Sequence, residues 1–230
     1  MSYPAHPDTI VIKNDFYPQG VTEQGVWDYY QDNKSKILQE VDNRDLIFFV
    51  MVDFNEPIVL RSGKTSKFIR LKPENYDKII TGRTISIHST MRAAEDFGII
   101  DIDCGDFERA KMAASDVYKY ILNVMVGMIS GATIRYTGKT SFHIICQFKK
   151  KMQIDTIRTI LKKYLSMGKL SDKYTIAGRK NLGTPNLDLA PNKIRGGFIT
   201  PHCLSVMGLR CMDIPFKDLL GFRREDAKIK

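Results

Sequence analysis

The sequence predicts an α+β protein in which helices cover one face of a sheet. Two segments have apolar residues at every third or fourth position, as amphipathic helices do, and strand-length runs lie between them. In chain order we expect a strand at 98–103, a helix at 108–128, a hairpin at 133–136 and 142–148, a helix at 154–165 and a strand at 194–201.

The first ninety residues predict a smaller set of elements. A helix is expected over 22–41, with Thr22 as its N-cap, since a hydroxyl there accepts a hydrogen bond from a first-turn N–H. Residues 46–52 form an apolar run typical of a strand covered on both faces. Short strands are predicted at 58–61, 67–71 and 84–88.

No repeat and no low-complexity linker marks a domain boundary. We therefore expect one domain over residues 1–230, with an N-terminal module at about 1–90 and a second module at about 91–230. The 230 residues carry 35 Lys and Arg against 26 Asp and Glu, a formal net charge of +9. An excess of this size favours a polyanionic partner such as nucleic acid, although surface lysines also promote solubility.

Several protein classes are excluded at this stage. No apolar run approaches the roughly 20 residues that span a bilayer, so we expect no membrane partner. The N-terminus lacks the basic and apolar regions of a secretory signal. Four widely spaced cysteines with no C-x-x-C pair predict buried free thiols in a reducing intracellular compartment, most simply the cytoplasm, and no zinc site.

Asp101 and Asp103 are the first candidates for chemistry. On a strand they point to the same face, while Ile100 and Ile102 pack behind them. Two neighbouring carboxylates repel each other in a partly dry site, and a divalent cation such as Mg²⁺ or Mn²⁺ would offset that repulsion. The alternative is an exposed strand that simply alternates polar and apolar residues.

A Gly-Lys-Thr tripeptide at 138–140 is the second candidate. It is not a P-loop, because that motif needs a glycine where this chain has Thr133. A glycine-bearing turn between strands can still bind phosphate through its backbone N–H groups, with Thr137, Lys139, Ser141 and His143 as further donors. The alternative is a solvated hairpin with a half-buried histidine.

Asp188 is the third candidate. It lies between two leucines, so a strand would direct it away from the core, where it could complete a set of three carboxylates. The alternative is an aspartate that flanks a turn.

Taken together, these motifs form an ordered series. Asp-x-Asp at 101–103 precedes Ser-x-His at 141–143, and a lone Asp188 is followed by an asparagine, an Arg-Gly pair and a proline. In this order the chain resembles the archaeo-eukaryotic primase superfamily. It is most similar to the polymerase domain of bacterial end-joining ligases of the ligase D type, with some likeness to archaeal primase small subunits. The resemblance spans nearly the whole chain.

The resemblance implies a fold and a set of roles. The fold is an antiparallel catalytic sheet like that of an RNA-recognition motif, packed against an N-terminal α/β module. Asp101, Asp103 and Asp188 would be catalytic and hold two Mg²⁺ or Mn²⁺ ions. The incoming nucleotide would be bound by residues that carry donors for its phosphates and sugar, namely Thr137, Lys139, Ser141, His143, His88, Arg61, Asn192 and Arg195.

The chain departs from the ligase type at two places. A phosphate-binding arginine of those relatives is replaced by Ser205, and Arg195 or Arg210 could substitute for it. A lysine implicated in holding a recessed DNA 5′-phosphate is replaced around Glu23 and Gln24, which weakens the case for gap filling.

The implied activity is template-dependent nucleotidyl transfer, in which an NTP or dNTP is added to a 3′-hydroxyl, with or without a primer. The partners would be a DNA template, a DNA or RNA primer, and replication or repair proteins. Candidate template contacts are the basic residues Lys149, Lys150, Lys151, Arg158, Lys162 and Lys163. Two alternatives stay open, namely a non-catalytic nucleic-acid-binding module of the same fold and a metal-dependent nuclease.

Overall fold

The computed structural model describes residues 5–53, 56–60, 68–176 and 184–229. The chain divides into two compact units, of which the first comprises Met1–Thr90, Gly197–Cys211 and Arg223–Lys230. The second comprises Met91–Gly196 and Met212–Phe222. The chain therefore returns to the first unit after Gly196, a return that the sequence did not predict.

The described residues form twelve strands and six α-helices, which confirms the predicted α+β class. In chain order they are β1 (Ile10–Asn14), β2 (Tyr17–Thr22), α1 (Glu23–Asp32), α2 (Lys34–Glu40), β3 (Leu46–Asp53), β4 (Glu56–Leu60), α3 (Tyr76–Ile79), β5 (Thr84–Thr90), β6 (Ala94–Asp103), α4 (Phe107–Val124), β7 (Ile129–Tyr136), β8 (Phe142–Gln153), α5 (Ile154–Met167), α6 (Leu170–Lys173), β9 (Thr175–Ile176), β10 (Asn186–Asp188), β11 (Gly197–Ile199) and β12 (Met212–Ile214). Two 3₁₀ helices, Phe216–Gly221 and Arg224–Ala227, follow.

The first unit contains a sheet in the order β11-β5-β3-β4 and a separate β1-β2 hairpin. Thr22 caps α1 as predicted, since its hydroxyl accepts from the Gly25 N–H at 3.1 Å. The prediction of a single helix over 22–41 is wrong, because Asn33 interrupts it and separates α1 from α2. Of the strand predicted at 67–71, the described residues 68–71 form one bridge, between Ile69 and Leu46.

His88 lies on β5 in this unit, partly buried, with its ring 4.7 Å from the Phe49 ring. Burial lowers the pKa of His88 from 6.5 to about 4, because a charged imidazole loses its hydration there. The histidine is therefore neutral at pH 7.

The second unit contains a larger sheet, in which the described strands run in the order β12-β7-β8-β6-β10-β9. All its pairs are antiparallel except β10 with β9, which is parallel. The predicted hairpin is β7 and β8. The last predicted strand, at 194–201, shortens to β11 and belongs to the first unit, where it pairs with β5.

Both long helices pack on one face of the larger sheet. Helix α4 lies against β7 and β8, and α5 lies against β6 and β8. Gly98 on β6 makes this packing possible, since a Cβ there would lie only 2.5 Å from Ile157 and 2.9 Å from Leu161 of α5. Ile100 and Ile102, which share the face of Gly98, are fully buried. We call the opposite face, which carries Asp101, Asp103 and Asp188, the carboxylate face.

Beyond the end of β10, the side chain of Asn192 binds the edge of β6. Its side chain is fully buried, and its Oδ1 accepts from the Ile99 N–H at 2.8 Å. Its Nδ2 donates to the Ile99 carbonyl. The side-chain amide of Asn192 thus makes with Ile99 the two hydrogen bonds that a neighbouring strand would make through its backbone.

Asn192→Ala is expected to lower the free energy of unfolding by about 2–4 kcal/mol, because it leaves the N–H and C=O of Ile99 buried without their partner. Urea unfolding followed by circular dichroism measures this loss. As a control, Asn33→Ala removes a partly exposed amide that donates to the Tyr29 carbonyl at 2.9 Å, and should cost less than about 1 kcal/mol. Equal losses of unfolding free energy in the two variants would contradict a stabilising role for the hydrogen bonds of Asn192.

His88 makes the stability depend on pH below neutrality. Above pH 6.5 the imidazole is neutral in both states. Between pH 6.5 and about 4 only the unfolded chain binds the proton, so unfolding becomes more favourable as the pH falls. We expect the parent to lose about 3 kcal/mol more than His88→Gln between pH 7 and pH 4 in urea titrations. Parallel pH profiles would show that His88 does not titrate in this way.

Candidate active site

The candidate site begins with two antiparallel pairs of residues on the carboxylate face. Asp101 on β6 lies directly opposite Asp188 on β10, and Asp103 lies opposite Asn186. Cβ atoms of such pairs are about 5 Å apart, and all four side chains project to one face. The pairing therefore places the three carboxylates that the sequence singled out on one face of the sheet, although 84 residues of chain lie between Asp103 and Asp188.

Each carboxylate has a donor close by. Ser141 donates its hydroxyl hydrogen to Asp103 at 3.0 Å, and the Ala190 N–H donates to Asp188 at 2.9 Å. The His143 Nε2 lies 3.6 Å from an Asp101 oxygen. The two hydrogen bonds, to Asp103 and Asp188, offset part of the repulsion among three like charges on one face.

His143 links the carboxylates to the adjacent strand. It lies on β8 opposite Asp101, is only 5 % exposed, and on its other side lies opposite Arg135 of β7. The 2.0-residue period of β8 places Ser141, one residue before the strand, on the same side as His143. The Ser-x-His spacing thus directs both side chains to the carboxylate face.

The turn between β7 and β8 holds Thr137 and Lys139. Thr137 donates its hydroxyl hydrogen to the Ser141 carbonyl at 2.9 Å and closes the turn, which requires a positive φ of 87° at Gly138. Lys139 is exposed, and its carbonyl accepts from the Tyr136 hydroxyl at 2.8 Å. The Gly-Lys-Thr tripeptide lies in a hairpin turn and not at the start of a helix, as a P-loop would.

Whether these residues suit divalent cations depends on their oxygen atoms. Within the described ranges, no group of three or more His, Cys, Asp and Glu side chains is drawn together as a ready metal site. The donor set nevertheless suits Mg²⁺ or Mn²⁺, which prefer carboxylate and amide oxygens. Asn186 adds such an oxygen, because its Oδ1 is buried without a hydrogen-bond partner beside Asp103.

The other predicted nucleotide-binding residues have different outcomes. Arg61 falls outside the described residues, and His88 belongs to the first unit, so their nucleotide-binding roles stay predictions. The nucleotide-binding role of Asn192 also stays a prediction; in the structure its buried side-chain amide hydrogen-bonds the backbone of Ile99. Arg195 is exposed in a turn with a φ of 61°, and its N–H donates to the Met91 carbonyl.

The predicted nucleic-acid contacts lie toward the other end of β8 and on α5. Lysine 149 follows His143 by six residues, so the two are separated by about 20 Å along the strand. All six side chains are exposed: Lys149, Lys150, Lys151, Arg158, Lys162 and Lys163.

Three residues of the carboxylate face escaped the sequence analysis. Asn186 precedes Asp188 by two residues, on a strand of only three residues that is too short for alternation to reveal it. Arg135 and Asp213 are paired on β7 and β12, where the Arg135 Nε donates to Asp213 Oδ1 at 2.6 Å. They are 78 residues apart in sequence, so no local sequence pattern predicts the pair.

The structure also tests two further predictions, that the cysteines are buried free thiols and that no segment spans a membrane. Cys146, Cys203 and Cys211 are buried free thiols, and burial raises the pKa of Cys146 to about 12. The expectation of four buried thiols is wrong for Cys104, which is only partly buried. In the part of the chain that the structure describes, no helix is both long and apolar enough to cross a membrane.

Comparison with known proteins places the fold. No protein-family model matches the chain, and no curated protein matches its sequence. Among solved structures it is similar to the polymerase domain of Mycobacterium tuberculosis ligase D in complex with DNA, with a TM-score of 0.77 and 11% sequence identity. The match covers 97% of this chain and 90% of that chain. The primase-polymerase fold predicted from the sequence motifs is thereby confirmed.

Proposed function

We propose that this protein is a template-dependent nucleotidyltransferase, which adds a nucleotide to a 3′-hydroxyl and releases pyrophosphate. The observation that carries the proposal is the pairing of Asp101 with Asp188 on one face, with His143 beside them. The fold is that of a polymerase domain, and the site combines carboxylates with basic and hydroxyl donors as phosphoryl transfer requires.

The carboxylates would hold two divalent cations. Asp101, Asp103 and Asp188 provide the anionic oxygens, and Asn186 provides a neutral one. Bound Mg²⁺ or Mn²⁺ ions lower the pKa of an attacking hydroxyl and stabilise the charge of a leaving pyrophosphate. In the overall reaction, a bond forms between the 3′-oxygen and the α-phosphorus, and the bond from the α-phosphorus to the bridging oxygen breaks.

The chain's own donors would orient the nucleotide. His143 and Ser141 face the carboxylates and would hold the phosphates, and the exposed ammonium of Lys139 on the adjacent turn adds positive charge. Preorganised donors of this kind stabilise the charge that builds up on the phosphate oxygens in the transition state. Thr137 closes the turn and would keep these donors in place.

A DNA template is the partner that fits the charge. The similar ligase D structure is a complex with DNA, and this chain carries a net charge of +9. Exposed lysines on β8 and exposed basic residues on α5 would contact backbone phosphates, with affinity that falls as salt rises.

Replacing Asp101 tests the proposal directly. We expect the parent to extend a primed template, and Asp101→Ala to lose about 100-fold or more of that rate, since the reacting groups are then misplaced. The assay offers primed and unprimed single-stranded templates, ribo- and deoxynucleotides, and Mg²⁺ or Mn²⁺, and it follows both product length and pyrophosphate. The fold should be retained, since removing one of three like charges relieves repulsion.

The matched control is Asp116→Asn on α4, in the same unit. Asp116 accepts from Lys173 at 3.1 Å and from the Tyr174 hydroxyl at 2.8 Å, away from the carboxylate face, and its variant should extend primers at the parent rate. Full activity of Asp101→Ala would disprove the assignment. A parent that binds DNA without incorporating nucleotides would be a binding module, and one that shortens the primer without releasing pyrophosphate would be a nuclease.

Asn186 permits a test that does not depend on activity. Asn186→Ala removes an oxygen ligand, so we expect its affinity for Mn²⁺ to fall about tenfold, as measured from free Mn²⁺ by electron paramagnetic resonance. Asn33→Ala, which changes an amide at the end of α1, should bind Mn²⁺ like the parent. Unchanged affinity in Asn186→Ala would remove this residue from the proposed site.

A further inference from the structure

Five ionisable side chains form one row across the carboxylate face. The pairing of β12, β7, β8, β6 and β10 aligns them strand by strand, each residue directly opposite the next. In order across the sheet they are Asp213, Arg135, His143, Asp101 and Asp188. His143 therefore has a carboxylate on one side and a guanidinium on the other.

Arg135 is the unexpected member of this row. It is 8 % exposed, and Asp213 holds its guanidinium through two contacts, Nε to Oδ1 at 2.6 Å and Nη2 to Oδ2 at 3.3 Å. Asp213 thus accepts from two N–H groups of the Arg135 guanidinium. The ion pair thus fixes the plane and direction of the arginine beside His143, and a guanidinium so oriented suits phosphate oxygens.

The spacing of the row fits a polyphosphate chain. Neighbouring strands are about 4.8 Å apart, so Arg135 lies roughly 10 Å from Asp101, with His143 between them. Anionic oxygens at Asp101 and Asp188 suit the metal-bound part of a nucleotide, and the positive charge two strands away suits a phosphate farther along the chain.

The sequence suggested two other arginines, Arg195 and Arg210, as substitutes for the missing phosphate-binding arginine. Arg210 donates its Nη2 to the Asp226 carbonyl at 2.6 Å and its Nε to the Ala227 carbonyl, within the first unit. Arg195 is exposed in a turn. Of the three, only Arg135 lies in the row with His143.

We propose that Arg135, oriented by Asp213, binds the terminal phosphate of the nucleotide, whose triphosphate lies across the strands from Asp101 past His143. This inference rests on the proposed function, because it assigns the orientation of that reaction's nucleotide substrate. Asp213 acts as a positioning residue that need not touch the nucleotide.

The competing explanation is structural, since the ion pair also joins the edge strand β12 to β7. The two variants Arg135→Gln and Asp213→Asn separate these explanations, because each breaks the same pair. If the pair only stabilises the sheet, both variants lower the melting temperature alike and leave nucleotide affinity alone. If Arg135 binds phosphate, the two variants differ in nucleotide affinity.

Affinity for a nucleoside triphosphate and for the matching diphosphate is measured by calorimetry in the presence of Mn²⁺. We expect Arg135→Gln to weaken triphosphate binding by about 10- to 100-fold, the value of a charged hydrogen-bonded contact. Diphosphate binding should change less than about threefold, because the diphosphate lacks the terminal group. Asp213→Asn should keep triphosphate affinity within about fivefold, and Arg135→Lys should fall between parent and Arg135→Gln.

Arg70→Gln is the control, since it breaks an arginine–aspartate pair with Asp45 at 2.9 Å in the first unit and should bind both nucleotides like the parent. Equal losses for triphosphate and diphosphate, equal losses in Arg135→Gln and Asp213→Asn, or no triphosphate binding by the parent would each overturn the inference. The assay needs no turnover. If the parent incorporates no nucleotide but Arg135→Gln still loses triphosphate binding selectively, the role of Arg135 stands and the proposed function fails.

Discussion

Backbone pairing between β6 and β10 is the constraint on which the candidate site depends. A slip of one residue would turn Asp188 toward the helices and Leu187 toward the carboxylate face, because successive side chains alternate between faces. Leu187 and Ile102 are both fully buried, so the slip would expose apolar surface and bury a charge. The apolar face therefore fixes the register, and the register aligns the carboxylates.

The same arrangement explains how packing on one face serves chemistry on the other. Gly98 lets α5 approach β6 closely, and Asn192 supports the edge of β6 beyond the end of β10. Neither residue faces the carboxylates, yet both restrain the strand that carries Asp101 and Asp103. Rigid strands hold reacting groups more accurately than loops do, and small displacements of such groups are costly in catalysis.

The sequence predicted features that follow from local periodicity and missed those that depend on distant pairing. The alternation at 98–103 predicted the shared face of Asp101 and Asp103. Strand β10 has three residues, too few for a period to show, so the pairing of Asp188 and the oxygen of Asn186 became visible only in the structure. The break at Asn33 escaped because apolar residues continue at helical spacing on both sides of it, while the Arg135–Asp213 pair depends on an edge strand far along the chain.

The path of the chain between the two units has a consequence for dissecting the protein. The backbone leaves one unit for the other at four junctions, after Thr90, Gly196, Cys211 and Phe222. A fragment that ends at Gly196 keeps the carboxylate-bearing strands but loses β12 with Asp213, and it also removes β11 from its partner β5. One truncation thus damages both sheets. Because each unit is built from separate segments of the chain, neither can be expressed as one contiguous fragment, and both must be produced in a single polypeptide.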